Sequence, residues 1–195
     1  TVREWLERGM AVNPVSCNFS SLHFDSPEFP ELVAAIADRH NVPHALLELE
    51  ITESAILRNP QIVCAQVLRL KERGFMIAID DFGSGYSSLG QLQQLMADVL
   101  KLDRSFVRRG MFGTRERIVI GNVIHVAGEL GMQVICEGVE NAKQAEMLIE
   151  LGCYYAQGFY YAKPMPRDVF EGLLEKGKVL QDEKENKKGA WQRKL

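Results

Sequence analysis

No stretch of the chain approaches the roughly 20 consecutive apolar residues that a membrane span requires. The start, Thr1-Val2-Arg3-Glu4-Trp5-Leu6-Glu7-Arg8, also lacks the apolar centre of a secretory signal. Neither sign of charge dominates. With 23 Lys and Arg against 26 Asp and Glu, the net of −3 is spread along the chain and offers no basic surface for DNA. Histidine and cysteine are scarce. His23, His40, His44 and His125 show no zinc-type spacing with one another or with Cys17, Cys64, Cys136 and Cys153, so any metal here is expected to be hard and oxygen-ligated. The four cysteines lie far apart, three of them in or beside apolar runs, which predicts reduced core thiols in a cytosolic protein. There are no internal repeats and no low-complexity tract. What remains is 195 residues, 46% of them apolar, enough for one substantial core.

Short apolar segments alternate with amphipathic ones. The pattern predicts strands at Val15–Ser20, Leu46–Thr52, Phe75–Asp81, Asp98–Asp103, Gln133–Val139 and Tyr154–Tyr161. Helices are predicted near Glu28–His40, Pro60–Arg73, Ser87–Met96, Thr114–Leu130 and Asn141–Leu151, with a last one starting near Pro166. Pro60 and Pro166 suit the first turn of a helix, and Gly74 and Gly131 suit the stop after one. Strict alternation of this kind predicts a parallel α/β sheet. Six such units fall short of the eight, in about 250 residues, of a closed (β/α)₈ barrel. The sequence therefore reads either as an open doubly wound sheet or as a barrel without its first two strands.

The segment Ile77-Ala78-Ile79-Asp80-Asp81-Phe82-Gly83-Ser84-Gly85-Tyr86-Ser87-Ser88-Leu89 carries the most chemistry. An apolar strand ends there in two adjacent carboxylates and runs into a small-residue loop. Like charges so close oppose joint ionisation, and a divalent cation removes that conflict. Polar groups recur at the other strand ends: Asn18, Glu50 with Glu53, Lys101 with Asp103, Glu137 with Glu140, and Gln157. Period-two alternation places Ser16 with Asn18, Glu48 with Glu50, Ala78 with Asp80, and Lys101 with Asp103 on shared faces. Ligands of parallel α/β folds bind at the carboxyl ends of the strands, so these groups should converge. Converging Asn, Glu and Asp oxygens suit Mg²⁺ or Mn²⁺, in a two-metal arrangement able to activate water and stabilise a phosphoryl group. Lys101 reads as a holder of the nucleophilic water or as a plain ion-pair partner of a neighbouring acid.

In order and type, these segments resemble the EAL family of bacterial cyclic di-GMP phosphodiesterases. The resemblance is carried by Val15-Ser16-Cys17-Asn18-Phe19-Ser20, Leu47-Glu48-Leu49-Glu50-Ile51-Thr52-Glu53-Ser54, the Asp80–Leu89 run, Leu100-Lys101-Leu102-Asp103-Arg104-Ser105-Phe106-Val107, Cys136-Glu137-Gly138-Val139-Glu140 and Gly152-Cys153 with Gln157-Gly158. It extends from about Trp5 to Pro166 and implies a TIM-like (β/α)₈ barrel of EAL type, here incomplete, with about six β/α units. It also implies hydrolysis of cyclic di-GMP to linear pGpG with Mg²⁺ or Mn²⁺, in the bacterial cytoplasm. By position, Asn18, Glu50 and Asp80 resemble first-metal ligands, with Asp80 shared between ions. Asp81 and Glu137 resemble second-ion ligands, and Lys101 resembles the lysine that positions the hydrolytic water. Asp103, Glu140 and Gln157 resemble support or substrate-contacting positions. Glu53 resembles the anchor of the loop Phe82–Leu89, which in the family links metal occupancy to dimerisation.

The chain departs from the family where it contains no Glu-Ala-Leu segment, whose glutamate completes the first metal's shell. Cys136 stands where the family more often has Ala, and Tyr154 where an acid is common. Residues 1–177 thus read as a truncated EAL domain, either a piece of a longer protein with an upstream sensory or cyclase domain or a naturally short homologue. Residues 178–195 read as a charged C-terminal helix extension or tail. Two functions remain open: a phosphodiesterase with an impaired first metal site, or a degenerate module that binds cyclic di-GMP or protein. Without the resemblance, an enolase-like use of Mg²⁺ with Lys101 as base is a third. Unpaired strand edges at Val15–Ser20 and Tyr154–Tyr161 predict a homo-oligomer, through those edges or the loop after Asp81.

Overall fold

A computed structural model describes residues 1–83, 89–110 and 113–175. The tail assigned to residues 178–195 lies outside them, as does the 84–88 part of the loop after the Asp pair. Six parallel strands, β1 (Val15–Asn18), β2 (Leu47–Thr52), β3 (Met76–Phe82), β4 (Val99–Leu102), β5 (Gln133–Cys136) and β6 (Tyr155–Ala156), form one sheet in sequential order. The sheet curls into part of a barrel and stays open between β1 and β6. All six predicted strands are present, but β6 is far shorter than the predicted Tyr154–Tyr161. Past Ala156 the chain turns back: Val139 N–H donates to Gln157 O at 3.1 Å and Tyr160 N–H to Val139 O at 3.0 Å.

Helices α1 (Val2–Glu7), α2 (Ser21–Phe24), α3 (Phe29–Arg39), α4 (Glu53–Arg58), α5 (Pro60–Glu72), α6 (Leu89–Gln94), α7 (Arg104–Gly110), α8 (Thr114–Glu129), α9 (Ala142–Glu150) and α10 (Arg167–Glu175) fill the connections. Local chemistry sets their ends. Thr52 accepts from the Ala55 amide to start α4, and a reciprocal Asn141–Gln144 capping box starts α9.

One face of each strand packs on the helices. Leu49, Ile51, Ile77, Ile79, Leu100 and Leu102 meet Val63, Val67 and Leu70 of α5 and Ile120 and Ile124 of α8 in one continuous core. Burying each such side chain stabilises the fold by about 1.5–3 kcal/mol. The alternate face, with Ser16, Glu48, Glu50, Ala78, Asp80 and Lys101, lines the inside of the curl. Glu48, Glu50 and Lys101 are nonetheless buried, because curvature brings neighbouring strands over them. α1 leads into one edge strand and α10 follows the other, and the two helices touch: Trp5 Nε1 donates to Glu171 Oε1 at 2.8 Å, with the Trp5 and Phe170 rings 5.8 Å apart. Among the described residues, no helix is long and apolar enough to cross a membrane.

Candidate functional site

The carboxyl end of β3 departs from regular pairing at the two adjacent acids. Ile79 pairs with Leu100 and Phe82 with Leu102, so Asp80 and Asp81 together lie opposite the single Lys101. This is a β-bulge, with Asp81 in the left-handed region at φ 54°. In a regular strand, neighbouring side chains point to opposite faces; the extra residue re-aims one of them. Asp80, Asp81 and Glu137 can each present a carboxylate oxygen within 4.8 Å of the other two. The sequence pattern could not show this convergence, since alternation alone separates Asp80 from Asp81. The glycine two positions on was the available signal.

Gly83 ends the bulge at φ 90°, where a Cβ would stand 1.7 Å from Cε2 of Phe106. Its amide donates to Glu53 Oε2 at 2.7 Å. Glu53 is almost fully buried at the first position of α4, so β2's continuation and α7's aromatic ring together hold the end of β3.

Lys101 sits at the centre. Its Nζ lies 2.7 Å from Glu50 Oε1, 2.7 Å from Glu137 Oε1 and 3.3 Å from Asp80 Oδ1. Burial works against the ammonium, but the hydrogen bonds to Glu137 and Glu50 outweigh it and hold Lys101 above the ordinary lysine value. Burial pushes the Glu137 and Asp81 carboxyls up; Asp80 and Asp103 add to the rise at Asp81, while Lys101 opposes both. Asp80 Oδ1 is buried and accepts no hydrogen bond. This buried oxygen has no hydrogen bond beyond its ion pair with Lys101, and with the carboxylates of Asp81 and Glu137 beside it the donor set fits a hard divalent cation.

The remaining strand-end residues are placed less centrally. Asn18 ends β1 in register with Glu50, and its side chain is exposed. Asp103 Oδ1 accepts from the Ser105 amide at 2.9 Å, the role of a helix cap at the start of α7. Glu140 and Gln157 are exposed, and their backbone groups rather than their side chains fix the turns they occupy. Behind the cluster, Ser16 Oγ donates to Glu48 Oε1 at 2.6 Å, and burial raises the Glu48 carboxyl.

The chain is similar to known proteins in sequence and fold. Cyclic di-GMP phosphodiesterase RocR of Pseudomonas aeruginosa is 35% identical over 170 residues, which cover 87% of this chain and 43% of RocR. The chain spans as little as 21% of the length of other curated relatives that it matches. Among solved structures, the EAL domain of Mycobacterium smegmatis DcpA superposes with a TM-score of 0.83 at 36% identity, covering 92% of this chain and 81% of that one. The PaMucR phosphodiesterase in its c-di-GMP complex gives a TM-score of 0.80 at 34% identity, covering 86% of this chain and 68% of that one. Both likenesses bear out an incomplete barrel of this type. The family model described as "EAL domain" matches residues 1–164, and the chain belongs to that family.

Proposed function

We propose that the mouth of this sheet binds cyclic di-GMP and hydrolyses it to linear pGpG with Mg²⁺ or Mn²⁺. The convergence of Asp80, Asp81 and Glu137, whose carboxylate oxygens come within 4.8 Å of one another beside Glu50 and Lys101, carries this reading. Asp80 and Asp81, brought to one side by the bulge, would hold the cations with Glu137, and Glu50 and Asn18 would complete the first site. Bound there, such cations supply an acidified water and neutralise charge on the phosphoryl oxygens. Lys101, hydrogen-bonded on two sides, is poised to hold that water or to offset charge that develops on phosphate. Glu53, through the Gly83 amide, fixes the strand end from which both acids project. The names of RocR and of the PaMucR complex point to the same substrate.

A second reading, a module that binds nucleotide or protein without turnover, is favoured by Lys101, whose ammonium already pairs with Glu50 and Glu137 at 2.7 Å each. Incubation of the chain with cyclic di-GMP and Mn²⁺, followed by chromatography for pGpG, separates the two. Turnover that falls at least about a hundredfold in Asp80→Asn supports the enzyme, and nucleotide binding without pGpG supports the module. We also propose self-association through the β1 and β6 edges, which a monomeric mass by light scattering at micromolar concentration would refute.

A further inference from the structure

Cys136 and Cys153, 17 positions apart, are brought together behind the site. Their sulfurs are 3.4 Å apart, with the Cys136 thiol donating to Cys153 Sγ and the Cys153 thiol donating to Tyr155 O at 3.2 Å. Both side chains are buried, and neither takes part in the chemistry assigned to Asp80, Asp81, Lys101 and Glu137. Cys17 and Cys64, by contrast, are only half-buried, and neither has another cysteine for a hydrogen-bond partner. We propose that Cys136 and Cys153 are a covalent modification site, a dithiol that a peroxide converts reversibly to an intramolecular disulfide.

Sulfurs already in contact need to close by only about 1.4 Å to reach the bonded separation of ~2.05 Å, a distance that small side-chain rotations supply. Access comes from the fold's edge. Cys153 lies just before β6, a two-residue strand paired on one side only, which opens at less cost than the inner strands. The Cys153 thiolate attacks one peroxide oxygen; the O–O bond breaks, the sulfur becomes a sulfenic acid, and the departing hydroxide takes a proton to leave as water. Cys136, having lost its proton, then attacks Cys153 Sγ; the S–O bond breaks and a second water leaves. Two electrons pass from the sulfur pair to the peroxide. The new bond ties the end of β5, one residue before Glu137, to the chain entering β6.

The full chain treated with one equivalent of hydrogen peroxide, alkylated and digested with trypsin tests this. The expected product joins peptide 118–143 to peptide 144–167 and weighs two hydrogen atoms less than the pair. Dithiothreitol should return both thiols, and neither Cys136→Ala nor Cys153→Ala should give the product. Oxidation of Cys17 or Cys64 while Cys136 and Cys153 are still alkylated would overturn the proposal. So would irreversible oxidation of Cys153 without the cross-link. Neither result depends on whether the chain binds a cation or nucleotide.

Discussion

Lys101 meets three carboxylates at the mouth of the sheet, while Arg8 and Arg167 meet Glu4, Glu171 and Glu175 where the first and last helices touch. The ingredients are the same and the surroundings are opposite. The Lys101 side chain is 8% exposed, whereas those of Arg8 and Arg167 are 44% and 49% exposed. Water and salt screen the helix cluster, whose pairs lie in the range where exposed ion pairs contribute about 0–1 kcal/mol. At the sheet mouth, each charge was stripped of water at a cost that its partners only offset, so removing one member strands the others. The buried ammonium sets the inner cluster apart, and the exposed guanidiniums mark the outer one as a helix clasp.

The contrast breaks most visibly at its centre. Lys101→Met should leave Glu50, Asp80 and Glu137 without a counter-charge and destabilise the fold by about 3–5 kcal/mol in urea titration. Mn²⁺ should recover part of that loss, because a cation replaces the ammonium among the same oxygens. A loss below about 1 kcal/mol would mean that solvent reaches the cluster freely, and the distinction from the helix clasp would vanish.

The backbone beneath the acids gives a smaller, sharper test. Gly83→Ala forces a Cβ into the Phe106 ring at φ 90° and should cost about 1–3 kcal/mol. Gly74, at φ 88° with nothing within 4 Å of a built Cβ, is the matched control; Gly74→Ala pays only for the left-handed backbone, about 1 kcal/mol. If the two variants lose equal stability, Phe106 does not press on the end of β3. If Gly83→Ala also weakens Mn²⁺ binding and Gly74→Ala does not, the bulge geometry is what sets the cation site.

Much of this architecture is written in local pattern. Leu47–Thr52 alternates apolar and acidic residues, Met76–Phe82 opens with an apolar run, and the long helices α5, α8 and α9 carry prolines, glycines or caps at their ends. The helices that escaped, α1, α2, α4 and α7, are four to seven residues long, too short for a 3.6-residue period to show. The reach of β6 was overread because Gln157 to Tyr161 is as aromatic and apolar as a strand, while past Gln157 its amides bond to Val139 and within a turn at Gly158. At the site, the alternation rule found Glu50, Asp80 and Lys101 on one face but could not find Asp81, whose position depends on a bulge. The Cys136–Cys153 contact was equally hidden. It arises from β5 and the α9–β6 connection meeting in space, which no local pattern encodes.

The smallest expected effect lies in the helix clasp and appears in its acid response. Hydrogen bonds from Arg8, then Trp5 and Arg167, hold the Glu171 carboxyl down at about 2, against an ordinary 4.5. A carboxyl whose folded value is depressed contributes its stability above the unfolded value and loses it as pH falls through the folded one. The α1–α10 contact should thus be at full strength above about 4.5, decline below that, and be lost near 2. Trp5 emission in a Trp191→Phe background reports it directly, because the indole N–H donates to the same carboxylate. Glu171→Gln should weaken the contact already at neutral pH and flatten the acid response, with a smaller change in thermal midpoint than Lys101→Met gives. A Trp5 transition centred on the ordinary carboxyl value, unchanged by Glu171→Gln, would show that the outer pairs hold nothing in solution. It would widen the difference between the two clusters to a difference in kind.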